Sequence, residues 1–213
     1  MFTIRKIKHF TSGKSFVDMS TVDEQTVEAI AAAITAKGGR YLEAPVSGSK
    51  VPAEQGTLLI MCAGDEALFN ESKECFDAMG KKSYYLGALG KGARMKLVIN
   101  AVMGAHMAAL AEGIKLAEAA ELDTAVLHDL LCNGALSSPL VQGKGKALLA
   151  KSYPTNFPLK HQQKDLRLAL QLSDQVRQQT PVIAATNELF KQAMARDKGD
   201  LDMCAVVTAL DNK

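Results

Sequence analysis

The 213-residue sequence lacks any excess of charge of one sign. Its 25 lysines and arginines stand against 23 aspartates and glutamates, which gives a net charge of +2. Proteins that bind nucleic acid or acidic membranes through electrostatics carry a basic patch, so this balance predicts neither partner. The sequence also lacks an uninterrupted apolar run of the roughly 18 residues that a membrane-spanning helix requires.

The sequence lacks the cysteine and histidine spacings of disulfide frameworks and metal sites. Its four cysteines form no Cys-x-x-Cys pair, and each lies among apolar neighbours. We therefore predict buried free thiols in a reducing compartment such as the cytoplasm, and no metal site. Four basic residues precede the first acidic residue, Asp18, which leaves open the remnant of a plastid or mitochondrial targeting peptide.

A dinucleotide-binding fingerprint, Gly-x-Gly-x-x-Gly between a strand and a helix, is also missing. Gly90 and Gly92 follow a predicted strand and begin a predicted helix, but Met95 stands at the third glycine position. The acidic partner expected about 20 positions later is missing too, because the following residues remain helical. Gly143 and Gly145 fail for similar reasons, so we reject both glycine pairs as phosphate-binding loops.

Hydrophobic patterning divides the chain into an α/β part and an all-α part. Up to residue 89, four predicted strands alternate with helices, one of which starts at a capping box from Thr21 to Glu24 and another at Asp65. The predicted strands are residues 15–19, 40–46, 57–64 and 83–89. From residue 90 the pattern is helical only. The predicted helices are residues 94–120, a short one near 127–131, 138–150, 159–178, one from Thr180 and one capped by Asp200.

Lys96 and Asn100 share one face of the long predicted helix, near its start, because they are four residues apart. Apolar neighbours partly desolvate the lysine, which would lower its pKa towards values useful for proton transfer. A lysine that extends along the helix surface into solvent is the alternative that spacing leaves open.

Four motifs, in order, carry a resemblance to a known family. They are DMST (18–21), EAPVSGS (43–49), Gly-x-Gly-x-x-x-Lys-x-x-x-Asn (90–100) and FPLKHQQKDLRLA (157–169). The chain from about residue 16 onward resembles the β-hydroxyacid dehydrogenases, which include 3-hydroxyisobutyrate and 6-phosphogluconate dehydrogenase-like enzymes. It is most similar to the plant-type glyoxylate/succinic semialdehyde reductases and the related nuclear N-PAC proteins.

The resemblance implies a role for each matching residue. Lys96 matches the catalytic acid/base, which protonates the carbonyl oxygen as hydride arrives, and Asn100 matches a substrate-positioning residue. Animal N-PAC proteins replace the lysine, so its presence favours an enzyme. Ser47 and Gly48 match the loop that binds the substrate carboxylate; a plain turn is the alternative.

The resemblance also implies cofactor and pocket residues. Thr21 and Lys164 match cofactor-binding residues, although Thr21 has a capping role as an alternative. Phe157 and Asp165 match residues that line the pocket, and a solvated Lys164–Asp165 pair is the alternative reading.

The implied fold is the C-terminal part of a Rossmann-like sheet (16–89) followed by an all-helical domain (90–213) with a long interdomain helix. Residues 1–15 match nothing in the family motifs, and the fingerprint half would lie upstream. The implied activity is NADPH-dependent reduction of small carboxylated aldehydes, with NAD as an alternative cofactor, in a homodimer or homotetramer. Without the fingerprint half, we predict that this chain binds cofactor weakly or not at all. A non-catalytic oligomerisation module is the rival hypothesis.

Overall fold

The computed structural model describes residues 12–211 and divides the chain into two compact units, Met1–Ile99 and Asn100–Lys213. The boundary falls inside a 29-residue helix. The sequence places the change from strands to helices at the start of that helix, at residue 90.

The first unit contains five strands and four complete helices within its described residues. The strands are β1 (Ser15–Asp18), β2 (Arg40–Glu43), β3 (Val46–Ser47), β4 (Leu58–Gly64) and β5 (Gly80–Tyr85). The helices are α1 (Glu24–Thr35), α2 (Lys50–Glu54), α3 (Glu66–Glu71) and α4 (Lys73–Met79). The fifth helix, α5 (Lys91–Ala119), begins in this unit and continues into the second.

These strands form one mixed sheet in the order β1-β2-β4-β3, with β5 also paired to β4. The β1–β2 and β4–β5 pairs are parallel and are connected through helices, which confirms the predicted crossover connections. The β2–β4 and β3–β4 pairs are antiparallel. The short β3 brings residues 46–47 alongside the central strand, and these residues belong to the predicted carboxylate loop.

Alternating side chains of β2 serve two cores on opposite faces of the sheet. Tyr41 packs with Val27, Ile30 and Ile34 of α1. Leu42 lies in the other cluster, which includes residues from β4, α3 and α4. The sheet is therefore covered by helices on both faces, as α/β patterning predicts.

Three local predictions in this unit are wrong. The last strand, predicted at residues 83–89, spans Gly80–Tyr85 as β5. Asp23, not Thr21, caps α1, since its carboxylate accepts a hydrogen bond of 2.8 Å from Thr26 N. The predicted strand 40–46 divides into β2 and β3, because Pro45 between them has no N–H group for a strand ladder.

The second unit is helical. After the rest of α5 come α6 (Thr124–Asn133), α7 (Pro139–Leu149), α8 (Leu159–Gln175), α9 (Pro181–Ala195) and a 3-10 helix (Met203–Leu210). Asp123 caps α6 and Pro181 occupies the first turn of α9, both as predicted. The cap predicted at Asp200 is wrong: Asp202 accepts the hydrogen bond from Cys204 N instead.

Helix α5 is long and apolar enough to cross a membrane by length and composition, with a mean hydropathy of 1.5 over its most apolar window. Half of that window is buried inside the protein. Core helices of globular domains have the same composition, so the hydropathy alone does not indicate a membrane span.

All four cysteines are free thiols, but only two are buried. Burial raises the pKa of both Cys62 and Cys204 to about 12, so these thiols stay protonated. The prediction of burial is wrong for Cys75, which is exposed, and for Cys132, which is half-buried. Cys75 lies on the outer face of α4, whose inward residue is Phe76.

Candidate active site

Lys96, the predicted acid/base residue, lies in the second turn of α5 in the first unit. The residue is only 7% exposed, whereas Lys91 at the start of the same helix is exposed. A lysine that extends into solvent would leave its amine in water. Burial therefore supports a chemical role for Lys96 over that alternative.

The start of α5 binds a buried carboxylate from β2. Glu43 Oε1 accepts hydrogen bonds from Gly90 N at 2.6 Å and Gly92 N at 3.1 Å, and Glu43 Oε2 accepts one from Ala93 N at 2.9 Å. These N–H groups have no partner within the helix, so the carboxylate satisfies them. It also places negative charge at the positive end of the helix dipole.

This contact explains both glycines of the 90–92 stretch. Gly90 has a φ of +91°, a conformation that favours glycine. A Cβ atom at Gly92 would lie 2.7 Å from Met61 O and 3.1 Å from Glu43 Cδ. The glycines thus allow a close approach of the protein's own carboxylate and carbonyl, at the point where a phosphate loop would hold a ligand.

The pKa of Glu43 is raised. Burial is the main cause, the three backbone hydrogen bonds oppose it, and the nearby Glu24 carboxylate adds to it. Sequence reasoning missed Glu43 as a functional candidate. The available signal was an acidic residue between the apolar Leu42 and Ala44, shortly before a loop of small residues.

The predicted carboxylate loop follows β3 in the first unit. Ser47 is half-buried and pairs with Leu59 in the β3–β4 ladder. Gly48 has a φ of +130°, and a Cβ atom there would lie 2.7 Å from Leu58 Cδ2 and 2.9 Å from Pro52 Cβ. Only glycine fits this turn, which holds the backbone after Ser47 in a fixed direction.

Thr21 lies between β1 and α1 and is half-buried. The alternative role for Thr21 was to cap α1, but Asp23 caps that helix. The cofactor role of Thr21 stays a prediction.

Three predicted residues contact one another in the second unit. Asn100 Nδ2 donates a hydrogen bond of 2.7 Å to Asp165 Oδ2, and Lys164 Nζ lies 2.9 Å from Asp165 Oδ1. Asn100 and Asp165 are both about 1% exposed, whereas Lys164 is only partly buried. A buried carboxylate that links an amide and an ammonium group is not a solvated surface pair, so that alternative is wrong for Asp165.

Gln162 supports this cluster and was missed from the sequence. Its side chain is fully buried, and its Nε2 donates a hydrogen bond of 2.8 Å to Asn100 O. A Cβ atom at Gly104 would lie 2.5 Å from Gln162 Nε2, so the glycine makes room for the amide. A glutamine at helical spacing between the buried Leu159 and Leu166 was the signal in the sequence.

Phe157 lies in the loop before α8, and a second buried carboxylate holds that loop. Asp202 Oδ2 accepts hydrogen bonds from Asn156 N at 3.0 Å and Phe157 N at 3.1 Å. The Lys144 ammonium bonds both Asp202 oxygens, at 2.7 and 2.8 Å. Burial raises the pKa of Asp202, but Lys144 and the backbone N–H groups outweigh it, so the pKa lies below its ordinary value.

Comparison with known families agrees with the four sequence motifs. Residues 90–210 match the family described as NAD-binding of NADP-dependent 3-hydroxyisobutyrate dehydrogenase. Residues 3–87 match the NAD-binding domain of 6-phosphogluconate dehydrogenase. The second match begins within residues 1–15, which the motifs leave unassigned.

Curated relatives include two plant reductases. Glyoxylate/succinic semialdehyde reductase 1 of Arabidopsis thaliana is 52% identical over 204 residues, which are 96% of this chain and 71% of the relative. The chloroplastic reductase 2 of the same plant is 48% identical, over 94% of this chain and 56% of its own length. The nuclear factor N-PAC of Gallus gallus is 46% identical, over 92% of this chain and 36% of its own length.

Among solved structures, 3-hydroxyisobutyrate dehydrogenase from Salmonella typhimurium has a TM-score of 0.86 to this chain at 29% identity. The match covers 91% of this chain and 68% of the bacterial enzyme. The α/β sheet followed by helices is therefore an arrangement that this enzyme shares.

Proposed function

The chain belongs to the β-hydroxyacid dehydrogenase family. From that premise, and in place of the weak cofactor binding expected from the missing fingerprint, we propose that it reduces small carboxylated aldehydes to hydroxyacids with NADPH. Glyoxylate and succinic semialdehyde are the substrates we propose, because two relatives at 48–52% identity are named for them. The observation that carries the proposal is the buried Lys96, which lies one turn from a helix start that Glu43 holds in place.

In this proposal Lys96 is the proton donor. When bound, a reduced nicotinamide supplies hydride to the carbonyl carbon, and negative charge develops on the carbonyl oxygen. A buried ammonium group can stabilise that charge and transfer its proton to the oxygen. The Ser47 hydroxyl and the backbone after it, which Gly48 holds, are suited to accept the substrate carboxylate.

For the cluster in the second unit, we propose that Asn100, Asp165 and Phe157 bind substrate. The hydrogen bond from Asn100 Nδ2 to Asp165 holds the Asn100 side-chain amide in one orientation. The same bond therefore also fixes the direction of the Asn100 side-chain oxygen. Phe157 would supply an apolar wall, since its backbone is fixed at both N and O by Asp202 and Met203. These three roles are proposals for the bound state.

The described residues suit part of a nicotinamide dinucleotide. Lys164 is a partly exposed ammonium held by Asp165, and it could contact a phosphate or ribose while keeping that ion pair. The α5 helix start, by contrast, is filled by Glu43 and does not suit the pyrophosphate. We propose NADPH over NADH because one family model that the chain matches is named for an NADP-dependent enzyme.

Loss of NADPH absorbance in the presence of glyoxylate or succinic semialdehyde tests the proposal. We expect Lys96→Met to lower kcat by about 10²- to 10⁴-fold, the usual contribution of a positioned acid. Lys91→Met is the matched control, since Lys91 is an exposed lysine of the same helix, and it should leave kcat unchanged. No turnover by the unaltered chain, or equal turnover by Lys96→Met, would overturn the proposal.

An oligomerisation module is the second candidate, and an apolar groove in the second unit favours it. The groove has a volume of about 590 Å³ and is lined mainly by apolar side chains of α5, α6 and residues 135–141. Leu116, Leu122 and Leu136 are exposed at its rim. Apolar patches of this kind mark interaction surfaces, and a second copy of the chain is the partner we propose.

Light scattering on the full chain tests this second function. Leu122→Glu should convert an oligomer to a monomer, because it places a charge in the apolar groove. Val182→Glu, at an exposed position of α9 outside the groove, is the control and should leave the mass unchanged. A monomeric unaltered chain would rule the module out, and an oligomer in which Lys96→Met abolishes turnover would support both functions.

A further inference from the structure

The helix that carries Lys96 is attached to the sheet at its first turn through Glu43. Three backbone N–H groups, those of Gly90, Gly92 and Ala93, donate to its two oxygens at 2.6–3.1 Å. Glu43 is 1% exposed, so water does not compete for these bonds. A second contact, from Arg94 Nε to Glu24 at 2.8 Å, lies nearer the surface.

Lys96 is close to this attachment in the chain. It follows Ala93 by three residues, or about 4.5 Å along the helix axis. A helix transmits the orientation of its first turn to the next turn, so the direction of the Lys96 side chain depends on how that first turn is held. Gly92 allows the attachment to be this short, because a Cβ there would contact Met61 O and Glu43.

Glu43 is also close in the chain to the predicted carboxylate loop. It is the last residue of β2, and Ser47 follows it by four residues in β3. The intervening backbone is fixed in the sheet, since Ala44 N donates to Asp18 O at 2.7 Å and Met61 N donates to Pro45 O at 2.9 Å. One side chain thus connects the segment that carries Ser47 to the helix that carries Lys96.

From these contacts we propose that Glu43 is a positioning residue, which holds Lys96 at a fixed distance and direction from the Ser47 loop. The proposal rests on the proposed function for its catalytic consequence. Its structural part, that Glu43 determines the placement of Lys96, stands independently of turnover.

Only a carboxylate can make this connection. An ionised carboxylate accepts through both oxygens, whereas the amide of glutamine has one acceptor oxygen and directs an NH₂ group at the remaining N–H. Glu43→Gln keeps the size of the side chain but loses at least one bond to the helix start. Glu24→Gln is the matched control, because it removes the other carboxylate that contacts this turn, at a more exposed position.

Kinetics of the full chain give the first test. Displacing a reacting group by about 1 Å can lower the rate about 10²-fold, so Glu43→Gln should reduce kcat by about 10- to 100-fold. The KM for the aldehyde should change less than kcat, because the Ser47 turn is retained. Glu24→Gln should leave kcat near that of the unaltered chain. A Glu43→Gln variant with unchanged kcat, in a chain that turns over, would overturn the proposal.

Labelling of lysines gives a second test that needs no activity. The full chain is treated with pyridoxal phosphate and borohydride, and labelled peptides are quantified by mass spectrometry. Labelling of Lys96 should rise by about fivefold in folded Glu43→Gln, the change expected when one net hydrogen bond is lost. Labelling of Lys91 should not change. Equal labelling of Lys96 in both proteins contradicts the positioning role even if the chain has no turnover.

Hydrogen exchange of the unaltered chain covers the case in which Glu43→Gln fails to fold. The amides of Gly90, Gly92 and Ala93 should be protected as strongly as amides of the central strand β4, because all three donate to a buried acceptor. Fast exchange at these amides would overturn the proposal, whether or not the chain is catalytically active.

Discussion

The tripeptide Gly-Lys-Gly occurs twice, at residues 90–92 in the first unit and 143–145 in the second, and each copy binds a buried carboxylate through different groups. In the first copy the backbone N–H groups of the two glycines donate to Glu43, and the lysine is exposed. In the second copy the side chain of Lys144 donates to Asp202.

Position within the helix explains this difference. The first copy begins α5, where backbone N–H groups have no helical partner and can bind an anion. The second copy lies inside α7, where the backbone is occupied by helical bonds and only side chains are available. The same three residues therefore bind an anion by backbone or by side chain according to the element that contains them.

The pKa values of the two carboxylates are shifted in opposite directions. Both are about 1% exposed and both accept three backbone hydrogen bonds. Burial raises the pKa of Glu43, with a further rise from Glu24, whereas Lys144 helps to lower the pKa of Asp202 against its burial. Three N–H dipoles thus offset the burial of a carboxylate only in part, and one ammonium group changes the sign.

Removing the Lys144 ammonium group should abolish the difference in pKa shift between Asp202 and Glu43. It is also the change with the largest expected effect on stability. In Lys144→Met, Asp202 stays buried without its cation, which should cost about 3–5 kcal/mol of unfolding free energy. The pKa of Asp202 should then rise above its ordinary value, as that of Glu43 does. Urea unfolding at neutral pH and carboxyl NMR titration measure the two changes.

Lys91→Met, the same change in the first copy, is the control and should alter stability by less than about 0.5 kcal/mol. Lys91 is exposed, and the carboxylate bound by this tripeptide, that of Glu43, accepts hydrogen bonds from the backbone and not from the lysine side chain. If both variants lose similar stability, the contrast between the two tripeptides is wrong.

Substituting the glycines should destabilise the first copy more than the second, the reverse of the order expected for the lysines. In Gly92→Ala the new Cβ would lie 2.7 Å from Met61 O, and overpacking against backbone should cost about 1–3 kcal/mol. In Gly143→Ala nothing lies within 4 Å, so the variant should gain up to about 1 kcal/mol from helix propensity. Thermal unfolding of both proteins gives the comparison, and a stabilised Gly92→Ala would contradict the close approach at α5.

Patterns within one element were predictable from the sequence. The alternation of strands and helices in the first part of the chain, the long helix after it and the cap at Asp123 follow from periodicity and local capping, and the structure confirms them. The errors at Thr21 and Asp200 concern which of two nearby polar residues caps a helix. Several such residues compete at each helix start, and tertiary contacts decide between them.

The supporting residues within each unit were not predictable, because each bonds to residues far away in the sequence. Glu43 bonds residues 47 to 50 positions away, and Asp202 bonds Lys144 across 58 positions. No local period or spacing relates such residues. Lys96, Asn100 and Asp165 were predicted only through the resemblance to family motifs. Asn100 and Asp165, which are hydrogen-bonded, are 65 positions apart in the sequence.

The smallest expected effect concerns how the stability contributions of Glu43 and Asp202 change with pH, which should differ in sign. Since the pKa of Glu43 is raised above 4.5, ionisation lowers stability as the pH rises from 4.5 through the folded-state pKa. Glu43→Gln cannot ionise, so its deficit in unfolding free energy against the unaltered chain should be largest at low pH and shrink as the pH rises.

For Asp202 the sign is opposite, because its pKa lies below 3.8 in the folded chain. Its ionised form contributes stability that is present above pH 3.8 and is lost as the pH falls through the folded-state pKa. The deficit of Asp202→Asn should therefore be largest near neutral pH and shrink in acid. Urea unfolding of both variants across the acid range separates the two slopes. If both deficits instead shrink as the pH rises, Lys144 does not distinguish these carboxylates, and burial determines the direction of both pKa shifts.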